Sequence, residues 1–485
     1  MILPSAISTS FSTRPTLTIL SDDIPYASAF PVRPEPSTRR FGWLSYLWQL
    51  RRNSLAVWPE GAYEDDFLIR EILSHRTYYA NSPDSVQHVL LDHADNYVKS
   101  PLLRRSLRPL IGQGLLISEG ALWRRQRRLM VPMFHPRRVQ SFVPVMTSVT
   151  EAMLARWDAL PSDRPVDIAD HMMQLTLEII ARTMFTDDLG GASAALGQAA
   201  TEYQLGRGRS SLIDLFGLPR WVPRPGERAA ARAVARMDRM IDGLIARHRE
   251  NGADTEDLLT LLLAARDAET GEPMSDTQIR DEVATILLAG HETTANALAW
   301  TWYLLSGDTA VAARLHAELA VVLGGRAPTA EDLPNLVYTR MVLEEAMRLY
   351  PPAHSFSRQA LAEDRIAGRH IPAGAVVIIA PWLLHRHRKL WAAPDRFNPE
   401  NFAPVQTAAR PRFGYVPFGG GPRRCLGASL AMTEALVILA TVAQRYAPRL
   451  VPHHRVVPVG LVTLCPVGGM PMFLDRREER RPKPA

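Results

Sequence analysis

Cysteine is scarce: Cys425 and Cys465 are the two in 485 residues, and they form no CxxC pair. That excludes a disulfide scaffold, a cysteine-rich zinc site and a built-in iron–sulfur cluster. Long apolar runs are missing too. Stretches such as 374–384 stop near about ten residues and contain Pro381, well short of the ~20 that a membrane-spanning helix needs. No GxGxxG fingerprint stands in a strand–turn–helix context, so the chain has no means of taking electrons from a nicotinamide cofactor. Basic residues exceed acidic ones, 56 to 50, for a net charge of +6 and a pI near 9.5. Yet no aromatic-interleaved basic motif or helix-turn-helix signal accompanies that balance, so no nucleic-acid partner is expected. The 46% hydrophobic and 22% charged fractions are those of an ordinary globular chain, long enough to enclose a large cofactor.

What is present is organised around 418–427, Phe-Gly-Gly-Gly-Pro-Arg-Arg-Cys-Leu-Gly. A single cysteine follows a glycine-rich turn and precedes a mostly apolar run from Ala428 to Ala443. Glycines permit left-handed backbone and close approach to a flat surface. A helix opening after Cys425 offers unpaired N–H groups and a positive dipole end, and both stabilise a thiolate. Phe418 can pack on a ligand face, and Arg423 can reach an anionic substituent such as a carboxylate.

Along the chain, residues 1–40 are rich in Pro, Ser and Thr and read as an extended leader, with 41–485 as one domain. Strands are predicted at 67–73 and 76–80, then a helix opened by Ser82-Pro83 and running to Leu91. Trp123 and Arg127, four apart, share one face of a basic helix. Residues 145–205 and 226–249 read as largely helical, flanking an apolar loop at 208–225. Ser275-x-x-Gln278 is a capping box for a long apolar helix towards Ser306, roughly as long as a domain is wide. Midway, Gly290 weakens that helix and Thr293 and Thr294 can bond carbonyls one turn back, which is expected to open the ladder locally beside Glu292. A further helix over 308–323 is closed by Gly324-Gly325. Residues 365–374 and 375–380 are predicted to pair as a hairpin. The glycine turn 467–470 is expected to dip into a pocket, ahead of a charged tail from Arg476.

Phe418-x-x-Gly421-x-Arg423-x-Cys425-x-Gly427 resembles the haem-thiolate signature of the cytochrome P450 family, which uses cysteine-ligated haem. Four further motifs follow the family's order: Trp123 with Arg127, the 289–294 segment, Glu345 with Arg348, and Arg396 in Pro394-Asp395-Arg396-Phe397. The resemblance spans about 41–473 and implies a bacterial-type member. Its fold would be mainly α with small β-sheets, one haem b (iron protoporphyrin IX) lying between the long central helix and the cysteine loop. By the same resemblance Cys425 is the axial metal ligand, with Phe418 and Gly427 beside it. Trp123, Arg127, Arg358 and Arg423 hold the propionates, and Glu292 and Thr293 relay protons. Glu345, Arg348 and Arg396 would form a buried, mutually paired trio bracing the cysteine loop, since buried charges persist only when paired.

The implied reaction is insertion of one atom of dioxygen into a small hydrophobic substrate, by hydroxylation or epoxidation, in the cytoplasm. A fatty acid, terpenoid or alkyl-aromatic would suit the apolar residues at 101–112, 208–225, 353–356 and 467–470. Electrons would come from a ferredoxin- or flavodoxin-type donor with its reductase, docking where Arg124, Arg125, Arg128 and Arg424 cluster. The alternatives are a haem-thiolate peroxygenase or isomerase, which typically lacks the Glu292-Thr293 pair, and a non-catalytic haem sensor. One departure stands out. Where the family often has His-Arg-Asp-Pro, this chain has His385-Arg386-His387-Arg388, read as added basic surface.

Overall fold

The capping box is formed as its residues require: Gln278 N donates to Ser275 Oγ at 3.3 Å, and Ser275 N donates to Gln278 Oε1 at 3.1 Å. From it the long helix, Asp276–Gly307, runs 32 residues, about 48 Å. The computed structural model describes residues 30–37, 42–72, 75–185, 199, 202–203, 226–251 and 257–477. Most of the leader, the apolar loop at 208–225 and the tail beyond 477 therefore lie outside the described residues.

A helix apolar on all sides must be enclosed, and this one is buried almost throughout from Ile279 to Leu305. It packs on the helix Ile168–Phe185. A Cβ added at Gly290 would come within 3.1 Å of Ile180 Cγ1, so the glycine serves the close approach of two helices. Thr176 Oγ1 ties the pair by donating to His291 O at 2.9 Å. Asp276–Gly307 runs through this turn as one helix. As expected, Thr293 and Thr294 donate to Ala289 O (2.8 Å) and Gly290 O (3.2 Å). Helices Val143–Asp158, Glu227–Asn251, Thr309–Val322, Val337–Leu349 and Ala428–Arg445 are among the others of the helical body.

The main sheet has five strands in the order Phe67–Ile72, His75–Ala80, Val376–Ile379, Phe356–Ala360, Tyr97–Lys99. Its centre pairs Thr77 with Val376 in parallel, which demands a long crossover, and here most of the helical body is that crossover. This corrects the predicted hairpin: 376–379 joins the main sheet, while Asp364–Ile366 pairs with Arg369–Ile371. The latter is closed by Ala367 (φ 48°) and Gly368 (φ 74°), a two-residue turn whose left-handed residues match strand twist. The expected single helical stretch from 145 breaks between Asp158 and Ile168 around Pro161 and the short strand Val166–Asp167. At the end of the leader, Val32 N donates to Tyr303 Oη (3.1 Å) and Tyr350 Oη donates to Val32 O (2.7 Å). That stretch is thus pinned to the long helix.

Candidate active site

Cys425 sits between the turn Gly421–Arg423 and the helix Ala428–Arg445. Its N–H donates to Phe418 O at 2.9 Å, which closes the loop. Gly421 (φ 63°) is left-handed, and a Cβ there would lie 1.7 Å from Leu90 O, so glycine alone fits. Gly427 faces open space and directs its N–H at the Cys425 sulfur. The thiol is accessible yet closely surrounded by protein. Burial therefore pushes its pKa up, against the Gly427 N–H and the charges of Arg127, Arg424 and Lys99.

The loop is braced from behind. Fully buried Arg348 and Glu345 pair through two contacts, at 2.7 and 2.8 Å. Arg348 also donates to the carbonyls of His385 (2.9 Å), Pro394 (2.6 Å) and Arg396 (2.9 Å). The expected charged trio is corrected here: Arg396 is exposed and contributes only its main-chain oxygen. His385 carries the brace forward, its Nε2 accepting Val416 N–H at 2.9 Å. Nor is 385–387 basic surface. His385, Arg386 and His387 are 0–2% exposed, and Arg386 stacks 3.7 Å above Trp382.

Beside the thiol lies a group of cations. Lys99 and Arg358 are partners across two strands. Arg423 stacks 4.0 Å above Trp123, which has Arg127 at 6.0 Å on its own helix, Gly120–Met130. Burial brings Arg358 and Arg423 each down to about 10 and also lowers Arg127. Lys99 falls well below its usual value, first through burial and then through Arg358 and Arg423. Glu119 answers Arg423 and accepts Lys99 N–H, but Arg358 meets no carboxylate among the described residues.

On the long helix, Ala289 is exposed and Thr293 partly so amid otherwise buried turns. Glu292 accepts a hydrogen bond from Thr463 Oγ1, and Asn296 Nδ2 donates to the same hydroxyl at 3.1 Å. Thr463 comes from the turn between strands Val457–Gly460 and Leu464–Val467. The glycine turn 467–470 is fastened at its end to Asp167: Met470 is fully buried and its N–H donates to Asp167 Oδ1 at 3.0 Å.

A sequence model described as Cytochrome P450 matches residues 54–460. The chain belongs to the cytochrome P450 family. It is 39% identical to the "Cyclooctatin synthase" of Streptomyces melanosporofaciens, covering 79% of this chain and 82% of that one. It is 35% identical to the "Cyclooctat-9-en-7-ol 5-monooxygenase" of the same organism, covering 88% and 92%. The crystal structure of the cytochrome P450DA heme domain superposes with a TM-score of 0.80 at 27% identity, covering 92% and 97%. This P450 is a haem-dependent monooxygenase.

The residues present fit a haem. A lone accessible thiol, an open face at Gly427 and buried cations short of carboxylates are complementary to a flat iron ligand bearing two carboxylates. Sequence reading of this P450 brought Trp123, Arg127, Arg358, Arg423 and Cys425 to one place, but missed Lys99 and Thr463. Lys99 lies in no motif, and only its strand register with Arg358 reveals it. Thr463 reaches Glu292 across 171 residues of chain.

Proposed function

We propose that this P450 oxygenates a compact cyclic terpenoid, hydrocarbon or alcohol. The names of its relatives support that class, as one is a monooxygenase of cyclooctat-9-en-7-ol. The observation that carries the site assignment is the group of carboxylate-poor cations around one accessible cysteine. Cys425 would be the axial ligand; Trp123, Arg127, Arg358 and Arg423, joined by Lys99, would hold the propionates, with Phe418 and Gly427 against the ring. Bound haem supplies dioxygen activation and oxygen insertion. Haem b suits a chain without the CxxCH pattern of covalent attachment. Glu292, steered by Thr463 and Asn296, would pass protons to Thr293 Oγ1. The cytoplasm suits a chain this poor in cysteine, with two in 485 residues.

Electrons would arrive from an acidic ferredoxin- or flavodoxin-type protein with its reductase. Of the four arginines first assigned to its docking, Arg125 and Arg128 are engaged by Asp267, and Arg128 also by Glu269. Arg124 and Arg424 are exposed and keep that role. The test of substrate class is the haem absorption spectrum of the purified holoprotein, titrated with cyclic terpenoids, fatty acids and alkyl-aromatics. A saturable spin-state shift confined to the terpenoids is expected. A shift with fatty acids alone would overturn the assignment.

A further inference from the structure

Against Gly421 of the cysteine loop, one turn of chain departs from α geometry. Residues His88–Asp92 form a π-helical turn, and His93 N donates to His88 O at 2.9 Å. In an α-helix, positions i and i+5 point about 140° apart, at 3.6 residues per turn. The wider turn instead lays the His88 and His93 rings side by side, with centroids 4.0 Å apart and planes within 15°. Such turns are rare and are frequently found at functional sites.

Facing them from the hairpin Asp364–Ile366/Arg369–Ile371 is Asp364, whose Oδ2 lies 2.8 Å from His88 Nε2. Tyr97 Oη donates to the same oxygen at 2.8 Å, and Arg365 N donates to Oδ1 at 2.7 Å. Burial works against the Asp364 charge, but these bonds outweigh it and keep the carboxyl below its ordinary range. One donor atom from each of His88, His93 and Asp364 lies within 4.8 Å of the others. Tetrahedral zinc, with bonds near 2.1 Å, needs donors about 3.4 Å apart, and exposed His93 can close that difference by rotating its side chain.

We propose that His88, His93 and Asp364 form a binding site for a divalent transition-metal ion of the zinc class, with water in the remaining position. Two imidazoles and a carboxylate select zinc, nickel or copper over magnesium. Tyr97 and Arg365 N act as the supporting hydrogen bonds that orient a ligating carboxylate. An ion there would staple the π-turn, on which Gly421 of the cysteine loop rests through Leu90 O, to a hairpin more than 270 residues away in sequence.

The test is zinc binding to tag-free holoenzyme after chelator treatment, by calorimetry and by elemental analysis of zinc against haem iron after gel filtration. About one zinc per iron is expected, with none displaced by excess magnesium. His93→Ala, an exposed substitution, and Asp364→Asn should each abolish retention with the haem spectrum unchanged. Tyr97→Phe should weaken binding by about 10-fold or more. His370→Ala removes a neighbouring exposed imidazole that faces Glu363 at 3.5 Å and should change nothing. Zinc held equally by the His93→Ala protein, or none held by the wild type, overturns the site.

Discussion

Arg348 is tolerated where water cannot reach it because each of its guanidinium nitrogens has an acceptor. Two of these contacts come from Glu345 and three from carbonyls of the 385–396 segment. Removing one partner of such a buried pair is far more damaging than never having built it, since the other charge is then uncompensated. Glu345→Ala should cost about 3–5 kcal/mol and lower the haem-to-protein ratio, because His385 and Val416 stand next in line towards the cysteine loop. Equilibrium denaturation and haem content check this; full haem occupancy at wild-type stability would contradict it. At this scale, pairs one helical turn apart are legible in sequence and main-chain roles are not. Glu345 and Arg348 are legible because i and i+3 share a helix face. Arg396 is not legible in this way, because an arginine that serves through its carbonyl looks the same in sequence as one that serves through its guanidinium.

The long helix shows the same division at the scale of elements. Its start was legible in the capping box and its burial in its unbroken apolar content, whereas the fastening of the 112–115 turn to it was not. Gln113 N donates to Asp281 Oδ2 at 2.7 Å, and Leu115 N donates to Glu282 Oε2 at 3.0 Å. Glu282 is 0% exposed. Burial, with Asp281 adding to it against the Leu115 N–H, lifts its pKa from 4.5 to about 8. The folded form thus holds a proton that the unfolded chain releases above pH 4.5. Stability falls as pH rises from there through 8, by on the order of a few kcal/mol at about 1.4 kcal/mol per unit. Glu282→Gln keeps an oxygen for Leu115 N–H and cannot ionise. Its melting temperature should match the wild type near pH 5 and exceed it near pH 9. Parallel curves across that range would refute the assignment. The misread hairpin at 365–380 has a related cause: a parallel partner some 300 residues earlier, Thr77–Ala80, leaves no trace in local alternation.

At the scale of the whole molecule, a net charge of +6 steers an acidic partner only where cations are free to face it. The basic helix Gly120–Met130 sorts its arginines by direction: Arg127 turns inward, Arg125 and Arg128 turn to Asp267, and Arg124 stays in solvent. Sequence could place these residues on one helix but not assign their partners, since Asp267 lies in a separate loop that folding brings alongside. Arg124→Glu should therefore slow turnover supported by an acidic donor by about tenfold at low ionic strength. The difference should shrink as salt shortens the Debye length. Peroxide-driven turnover, which needs no docking, should be unchanged in the same variant. Arg125→Glu is the contrasting substitution: set beside the buried Asp267 carboxylate, it should lower the melting temperature, which Arg124→Glu should not. If Arg124→Glu slowed the peroxide-driven and donor-driven reactions alike, the residue would act on the haem pocket, and the docking face would have to be sought elsewhere on the surface.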